Sequence, residues 1–206
     1  GKKVDPVWDF QVIVATNKET PASKDALNPL LQGVFNPTGQ PVLGRFRVGD
    51  KVICRANSRY TGRKSERQLY AANGAFGQIT DVDDRNVYIR LEDYPEDDVS
   101  VPRDEVSSGF DLGYAVTCHR MQGSQAPIVF VCLSPSYKTK LVADRSWLYT
   151  AITRAQELAI VAGMKDTVRE MCSRTKIMDR VGFIPQWLTE YGSNGKATDC
   201  TIQGSV

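Results

Sequence analysis

Histidine is almost absent from this 206-residue chain, which contains one, and no two cysteines form a C-x-x-C pair. Zinc sites need clustered cysteine and histidine ligands, so we expect no metal centre. The cysteines are odd in number and widely spaced, which favours free thiols in a reducing cytoplasm. They are Cys54, Cys118, Cys132, Cys172 and Cys200.

Long apolar runs and a strong net charge are also lacking. No stretch approaches the roughly 18 apolar residues of a membrane span, and no charged-then-apolar leader opens the chain, so we expect neither membrane insertion nor secretion. The 26 basic and 24 acidic residues leave a formal net charge of +2. The overall charge therefore indicates no nucleic-acid partner, and charge has to be considered locally.

The phosphate-binding loop G-x-x-x-x-G-K-[ST] of nucleotide-driven enzymes is missing as well. The nearest sequence is GRKS at residues 62–65, where Arg63 separates Gly62 from Lys64 and no glycine lies correctly upstream. We therefore expect that this chain does not hydrolyse ATP by itself.

Buried strands and amphipathic helices alternate in the outer parts of the chain. FQVIVAT at residues 10–16 predicts a strand buried on both faces, and residues 23–35 predict a helix with Ser23 as N-cap. Pro29 argues against one uninterrupted helix there. From residue 113, YAVTC, IVFVCL and LAIVAG predict strands, while SWLYTAITRA and DTVREMCSR predict helices. The pattern indicates an α/β fold, a parallel sheet flanked by helices.

Residues 44–109 interrupt this alternation. The short runs DKVICRA, FGQITDV, NVYIRLE and DVSVPRDEV, separated by turn residues, predict a small antiparallel β-barrel inserted into the α/β domain. We thus expect an α/β domain built from residues 1–43 and 110–190, a β module over 44–109 and a flexible tail over 191–206.

The predicted β module is polarised in charge along the sequence. Residues 44–68 contain eight basic and two acidic residues, whereas residues 81–105 contain ten acidic residues and three arginines. This pattern fits a pair of solvated faces. It also fits a basic loop along a nucleic-acid backbone, opposite an acidic face.

Two polar clusters could carry chemistry. In YAVTCHRMQGSQ, residues 114–125, Thr117 and His119 stand where a buried strand ends, which is where open parallel sheets bind ligands. The Gln-Gly-Ser-Gln turn that follows offers groups for phosphate or sugar oxygens. A single histidine at a strand end equally fits a structural role. In residues 147–157, Arg154 is expected near a helix C-terminus, where it either stabilises the helix dipole or holds a γ-phosphate as an arginine finger.

In this order the segments resemble the C-terminal RecA-like motor domain of superfamily 1 helicases, most closely the RecD-like and Dda-like DNA helicases. YAVTCHRMQGSQ is similar to motif V of that family, and LYTAITRA is similar to motif VI. VIVATNKETPASKDALNPLLQ resembles the motif IV region. FRVGDKVICRAN and NGAFGQI resemble the start of a Src-homology-3-like insertion, and the resemblance covers roughly residues 11–163.

The resemblance implies a role for each matched position. Arg154 would be the catalytic arginine finger, with Lys18, Gly123 and Gln125 also on the nucleotide side; Gln125 stands where the family commonly has glutamate. Contacts with single-stranded DNA are implied for Thr117, His119, Gln122 and Ser124, and for Arg59, Arg63 and Lys64 of the insertion. ATP and Mg²⁺ would be bound mainly by an N-terminal RecA-like domain, and translocation would run 5′ to 3′.

Two alternatives stay open. The first is that the chain belongs to the helicase part of a conjugative relaxase or to a viral RNA helicase, because motifs V and VI are similar in those proteins. The missing phosphate-binding loop also favours a non-catalytic module that binds nucleic acid or a protein partner.

Overall fold

The computed structural model describes residues 4–121 and 123–174, so the predicted tail lies outside the described residues. In chain order the elements are β1 Phe10–Val14, α1 Lys24–Phe35, β2 Lys51–Cys54, β3 Ser58–Gly62, β4 Gln68–Ala71, β5 Phe76–Val82, β6 Asn86–Leu91, β7 Asp98–Pro102, α2 Val106–Gly109, β8 Phe110–Leu112, β9 Ala115–Thr117, a 3-10 helix Cys118–Met121, β10 Ala126–Cys132, α3 Tyr137–Val142, α4 Arg145–Ile152, β11 Ala155–Ala162 and α5 Lys165–Ser173. None of these helices is long and apolar enough to cross a membrane.

Four strands form a parallel sheet in the order β11-β10-β1-β9. On one face, Val12 and Val14 of β1 pack against Leu27 and Leu31 of α1. The opposite face is covered by the 3-10 helix, α4 and α5, whose buried side chains include Met121, Trp147 and Met171. The predicted parallel sheet flanked by helices is confirmed.

Helix α1 runs without a break through Pro29, so the expected interruption there was wrong. Proline removes one backbone hydrogen bond and costs a helix interior about 3 kcal/mol. Tertiary contacts offset this cost. The Asn28 amide donates to the Ala115 carbonyl at 2.9 Å and accepts from the Ala115 N–H at 2.9 Å, which joins the helix to edge strand β9.

The other seven strands form an antiparallel sheet in the order β4-β3-β7-β6-β5-β2-β8. It curves as a half-barrel around an apolar cluster that includes Val52, Ile79, Leu91 and Val99. Val52 pairs with Leu112, so β2 and β8, the first and last strands of this sheet in chain order, are neighbours. The predicted small antiparallel module is confirmed in its fold. Strands β3 and β4 were not expected, because residues 57–75 lie between the predicted β runs DKVICRA and FGQITDV.

The two sheets are joined through a shared core and a buried polar network. Ile53 and Phe76 of the antiparallel sheet belong to the same apolar cluster as Met121 and Trp147. The Asp50 carboxylate accepts from Gln32 at 2.6 Å and Asn36 at 2.7 Å, from the Arg47 backbone N–H at 2.7 Å and from the Tyr114 hydroxyl at 3.1 Å. Burial raises the pKa of Asp50, and these donors oppose that rise.

Lys51 is a charged residue buried at the same junction. Its side chain donates to the Phe10 carbonyl at 2.9 Å and lies 4.9 Å from the Phe76 ring centroid. Removal from water disfavours the ammonium form and lowers the pKa of Lys51 to about 7, although Glu92 and Asp5 partly offset the effect.

Candidate functional site

The predicted site residues lie at two opposite edges of the parallel sheet. Val14 pairs with both Thr117 and Cys132, which defines the carboxyl edge. Ala126 pairs with Ala155 at the amino edge. β10 has seven residues, and a strand rises about 3.3 Å per residue, so the two edges are roughly 20 Å apart.

Thr117 and His119 belong to the carboxyl edge, as expected from the strand pattern. Thr117 is half-buried at the end of β9, and His119 is exposed on the 3-10 helix that follows at once. Lys18 is exposed in the loop after β1, so it follows the same edge. Lys18 is therefore at the opposite end of the strands from Arg154. Its predicted contact with the nucleotide stays a prediction, and this placement does not favour it.

Gln125 and Arg154 meet at the amino edge. Gln125 directly precedes β10 and Arg154 directly precedes β11, and the Ala126 N–H donates to the Arg154 carbonyl at 3.0 Å. Helix α4 ends at Ile152, so Arg154 lies in the turn after the helix and not on its outer face. The sequence placed Arg154 near the helix C-terminus but extended the helix too far.

The Arg154 guanidinium is held from one side only. Its Nε donates to the Thr150 carbonyl at 3.3 Å. No carboxylate in the described part of the chain forms a salt bridge with it. The positive charge of Arg154 also affects Cys118. Burial raises the pKa of the Cys118 thiol, and the Arg154 charge partly opposes that rise. The terminal N–H groups are thus available for an anion.

The segment between the two edges turns sharply at Gly123. Its φ of 89° is one that glycine adopts without strain, and the Ser124 N–H donates to the Met121 carbonyl at 3.1 Å. Gly123 and Gln125 are exposed, and Ser124 is half-buried. Gln122 lies outside the described residues.

Ser124 also lines a cavity of about 200 Å³ between motif V and the antiparallel sheet. Arg120 lies on the motif V side, while Asn73 and Gly74 of the β4–β5 turn and Glu92 and Asp93 lie on the other. Neither Arg120 nor this turn was expected at the site. The contact joins residues some 50 positions apart in the chain, which neither motif spacing nor periodicity could reveal.

The basic and acidic halves of the antiparallel module face one another and are not separate faces. Arg63 forms a salt bridge with Asp81 at 2.9 Å and lies over the Tyr88 ring, 3.7 Å from its centroid. Lys64 donates its side chain to the Glu96 carbonyl at 3.0 Å and its backbone N–H to Asp97 at 2.8 Å. Both interpretations of the charge pattern, a pair of solvated faces and a basic loop opposite an acidic face, kept the two halves apart, and these contacts join them. The DNA contacts implied for Arg63 and Lys64 stay predictions.

Most other basic residues of the predicted basic half also bind within the protein. Arg45 forms a salt bridge with Asp111 at 2.6 Å, and the Arg47 and Arg55 side chains donate to backbone carbonyls. Only two of the eight basic side chains have no hydrogen bond or ion pair with another described residue. They are Arg59 and Arg67.

Comparison with known proteins finds similarity to helicases. Residues 112–162 match the UvrD-like helicase C-terminal domain. The chain is 29% identical over 154 residues to the ATP-dependent RecD2 DNA helicase of Deinococcus radiodurans, and the match covers 73% of this chain and 20% of that protein.

Two solved structures share the fold. One is Pif1 helicase from Bacteroides in complex with ADP-AlF3 and single-stranded DNA, with a TM-score of 0.52, 15% identity and coverage of 90% of this chain and 46% of that chain. The other is Pif1 helicase from Candida albicans, also with a TM-score of 0.52 and 15% identity, covering 90% and 51%. The resemblance to the C-terminal domain of superfamily 1 helicases is confirmed. The chain spans about a fifth of the RecD2 relative and about half of each Pif1 structure.

Proposed function

We propose that this chain is the second motor domain of an ATP-dependent DNA helicase and supplies its arginine finger and part of its strand contact. The match of residues 112–162 to UvrD-like helicase C-terminal domains supports the proposal, because that range contains Thr117, His119, Gln125 and Arg154. ATP, Mg²⁺ and single-stranded DNA are part of the proposal, and so are 5′ to 3′ polarity and a cytoplasmic location.

The observation that carries the proposal is the environment of Arg154. A guanidinium has five N–H donors, stays charged at any physiological pH and can bind phosphate oxygens in a fork. Arg154 uses Nε to contact the Thr150 carbonyl of the preceding helix and has no carboxylate partner among the described residues. Its remaining donors fit the γ-phosphate of ATP.

Arg154 alone does not make a nucleotide site. The chain contains no G-x-x-x-x-G-K-[ST] loop for the phosphates. In this proposal, the loop and the Mg²⁺ ligands come from an N-terminal RecA-like domain, and the nucleotide lies between the two domains with Gly123 and Gln125 beside Arg154. The isolated chain is then inactive as an ATPase.

The carboxyl edge supplies the contacts with single-stranded DNA. The Thr117 hydroxyl and the exposed His119 ring fit phosphate and sugar oxygens, the groups that position a strand without reading its sequence. Gln122 and Ser124 would join these contacts to the nucleotide side through the turn at Gly123. DNA and nucleotide are then held at opposite edges of one sheet.

The test uses the full-length protein with Arg154→Ala and measures single-stranded-DNA-stimulated ATP hydrolysis together with DNA binding. Loss of an arginine finger lowers turnover by about 10³- to 10⁵-fold. DNA binding and thermal stability should stay unchanged, since Arg154 lies away from the carboxyl edge and is half-exposed. The matched control is Arg169→Ala, an exposed arginine of α5 paired with Asp166. Normal turnover in Arg154→Ala would refute the finger assignment.

The non-catalytic alternative predicts a different result. A full-length protein with all motifs intact that binds DNA but neither hydrolyses ATP nor unwinds a duplex would favour the binding module. ATP-dependent unwinding would exclude that alternative.

A further inference from the structure

The hairpin of β3 and β4 places an arginine and a tyrosine side by side on one face. Arg59 pairs with Tyr70 in the antiparallel register, and Thr61 pairs with Gln68. Residues two apart on a strand point to the same face, so these four side chains share it. Tyr60 points to the other face, into the core.

Arg59 and Tyr70 form a non-hydrogen-bonded pair of the antiparallel ladder. The Tyr70 N–H donates to the Tyr94 hydroxyl at 3.3 Å, away from β3, while the neighbouring Gly62 N–H donates across the hairpin to Arg67 at 2.8 Å. In antiparallel sheets such a non-hydrogen-bonded pair has its α-carbons about 4.5 Å apart, which brings the side chains closest together.

Both side chains are open to solvent. Tyr70 is 45% exposed, and Arg59 is exposed with no hydrogen bond or ion pair to another described residue. β4 is the edge strand of its sheet, and the Tyr94 hydroxyl lies against the Tyr70 backbone at its outer edge. The adjoining Gln68 donates to Thr61 at 2.9 Å, so the other two side chains of this row on the hairpin are polar and uncharged.

We propose that Tyr70 and Arg59 form a platform for one nucleotide unit of single-stranded DNA, with a base stacked on the Tyr70 ring and a phosphate bound by Arg59. An exposed aromatic ring beside a free arginine matches this ligand, because unpaired bases stack on aromatic faces and phosphates attract guanidinium groups. The proposal deepens the proposed function and depends on it. It assigns a role to Tyr70 and places the main contact of the module at Arg59, since Arg63 and Lys64 already bind acidic segments.

The test measures binding of labelled oligo(dT) to the full-length protein by fluorescence anisotropy over a series of salt concentrations. Tyr70→Leu should weaken binding roughly 5- to 150-fold, the range for loss of one base–aromatic stack, with little change in the salt dependence. Tyr70→Phe keeps the ring and should bind within about twofold of wild type. Arg59→Gln should reduce the slope of log K against log salt by about 0.7, the value for one phosphate contact on a single strand.

Two controls separate stacking from a general loss of structure. Tyr70→Leu should bind an abasic strand of equal length as tightly as wild type does, and its melting temperature should match wild type because the ring is at an exposed edge. Arg169→Gln, an exposed arginine on α5, should leave the salt slope unchanged. Photo-cross-linking with 5-iododeoxyuridine DNA should label the peptide that contains Tyr70.

The outcomes distinguish this platform from the proposed function. Salt-dependent binding by wild type that is unaffected by Tyr70→Leu and Arg59→Gln overturns the platform and leaves the motor assignment standing. Equal weakening by Tyr70→Leu on oligo(dT) and on the abasic strand overturns base stacking. No binding of single-stranded DNA by the wild-type protein overturns both.

Discussion

Replacing Lys51 with methionine should change how the free energy of unfolding depends on pH. Methionine has a similar length and fills the same buried space without a charge. Lys51 is buried at the junction of the two sheets, where removal from water lowers its pKa from 10.5 to about 7. The unfolded chain has no such burial, so its lysine keeps the ordinary pKa.

The sign follows from proton binding in the two states. Between pH 7 and 10.5 the unfolded state binds more protons at this residue than the folded state, so the stability of the wild-type protein rises with pH through that window. Below pH 7 both states are protonated and the dependence disappears. A shift from 10.5 to about 7 corresponds to a change of about 2 kcal/mol between pH 7 and 9, and of less than about 0.5 kcal/mol between pH 5 and 7.

The assay is urea denaturation of both proteins across pH 5 to 9 under reducing conditions, followed by circular dichroism. Other titrating groups cancel in the difference between wild type and Lys51→Met, and the lost hydrogen bond to the Phe10 carbonyl adds only a constant. The difference should favour the variant at pH 7 and shrink by about 2 kcal/mol by pH 9. Exposed Lys165→Met, which removes no buried charge, is the control. A difference that stays flat from pH 7 to 9 would show that Lys51 is solvated and that the junction is open to water.

Two further changes test the contacts that hold α1. Asp50→Ala should lower the free energy of unfolding by about 3 kcal/mol, because the Gln32 and Asn36 amides lose their buried acceptor. Asp50→Asn should lower it less. Equal stability of Asp50→Ala and wild type in urea would contradict the network. Asn28→Ala should speed hydrogen exchange of the Ala115 amide by about 10-fold, and Asn28→Asp, which keeps the acceptor, should speed it less. Unchanged exchange in Asn28→Ala would show that β9 needs no support from the helix.

Strands β1 and β10 of the parallel sheet were predictable because burial inside the sheet leaves a continuous apolar run. In the other sheet, β6 has apolar residues buried at alternate positions, Val87, Ile89 and Leu91. The β3–β4 hairpin has neither signal. Only Tyr60, Leu69 and Ala71 contribute inward apolar side chains, and the charged residues between them suggested a loop.

The pairing of charges was hidden for a related reason. Arg63 is 18 residues from Asp81, and Lys64 is 33 residues from Asp97. Lys64 meets Asp97 because the sheet order brings β7 beside β3, and Arg63 meets Asp81 of β5 across β7 and β6. A charge count along the sequence separates them, while the fold places them together. At Pro29 the local sequence was also misleading. Proline disfavours a helix interior, but the hydrogen bonds of Asn28 with Ala115 of β9 stabilise helix α1 there.

The 3-10 helix that follows Thr117 joins the carboxyl edge of the sheet to the apolar core. Cys118 and Met121 are buried in the core, so the 3-10 helix cannot shift without disturbing Trp147 and Phe76. Close-packed cores change between discrete arrangements and do not deform freely. In the proposed function, a movement of this core on nucleotide turnover would displace Thr117 and His119 together with the 3-10 helix. The same core holds Ile53 and Phe76 of the antiparallel sheet, so the module that bears Arg59 and Tyr70 would move with it.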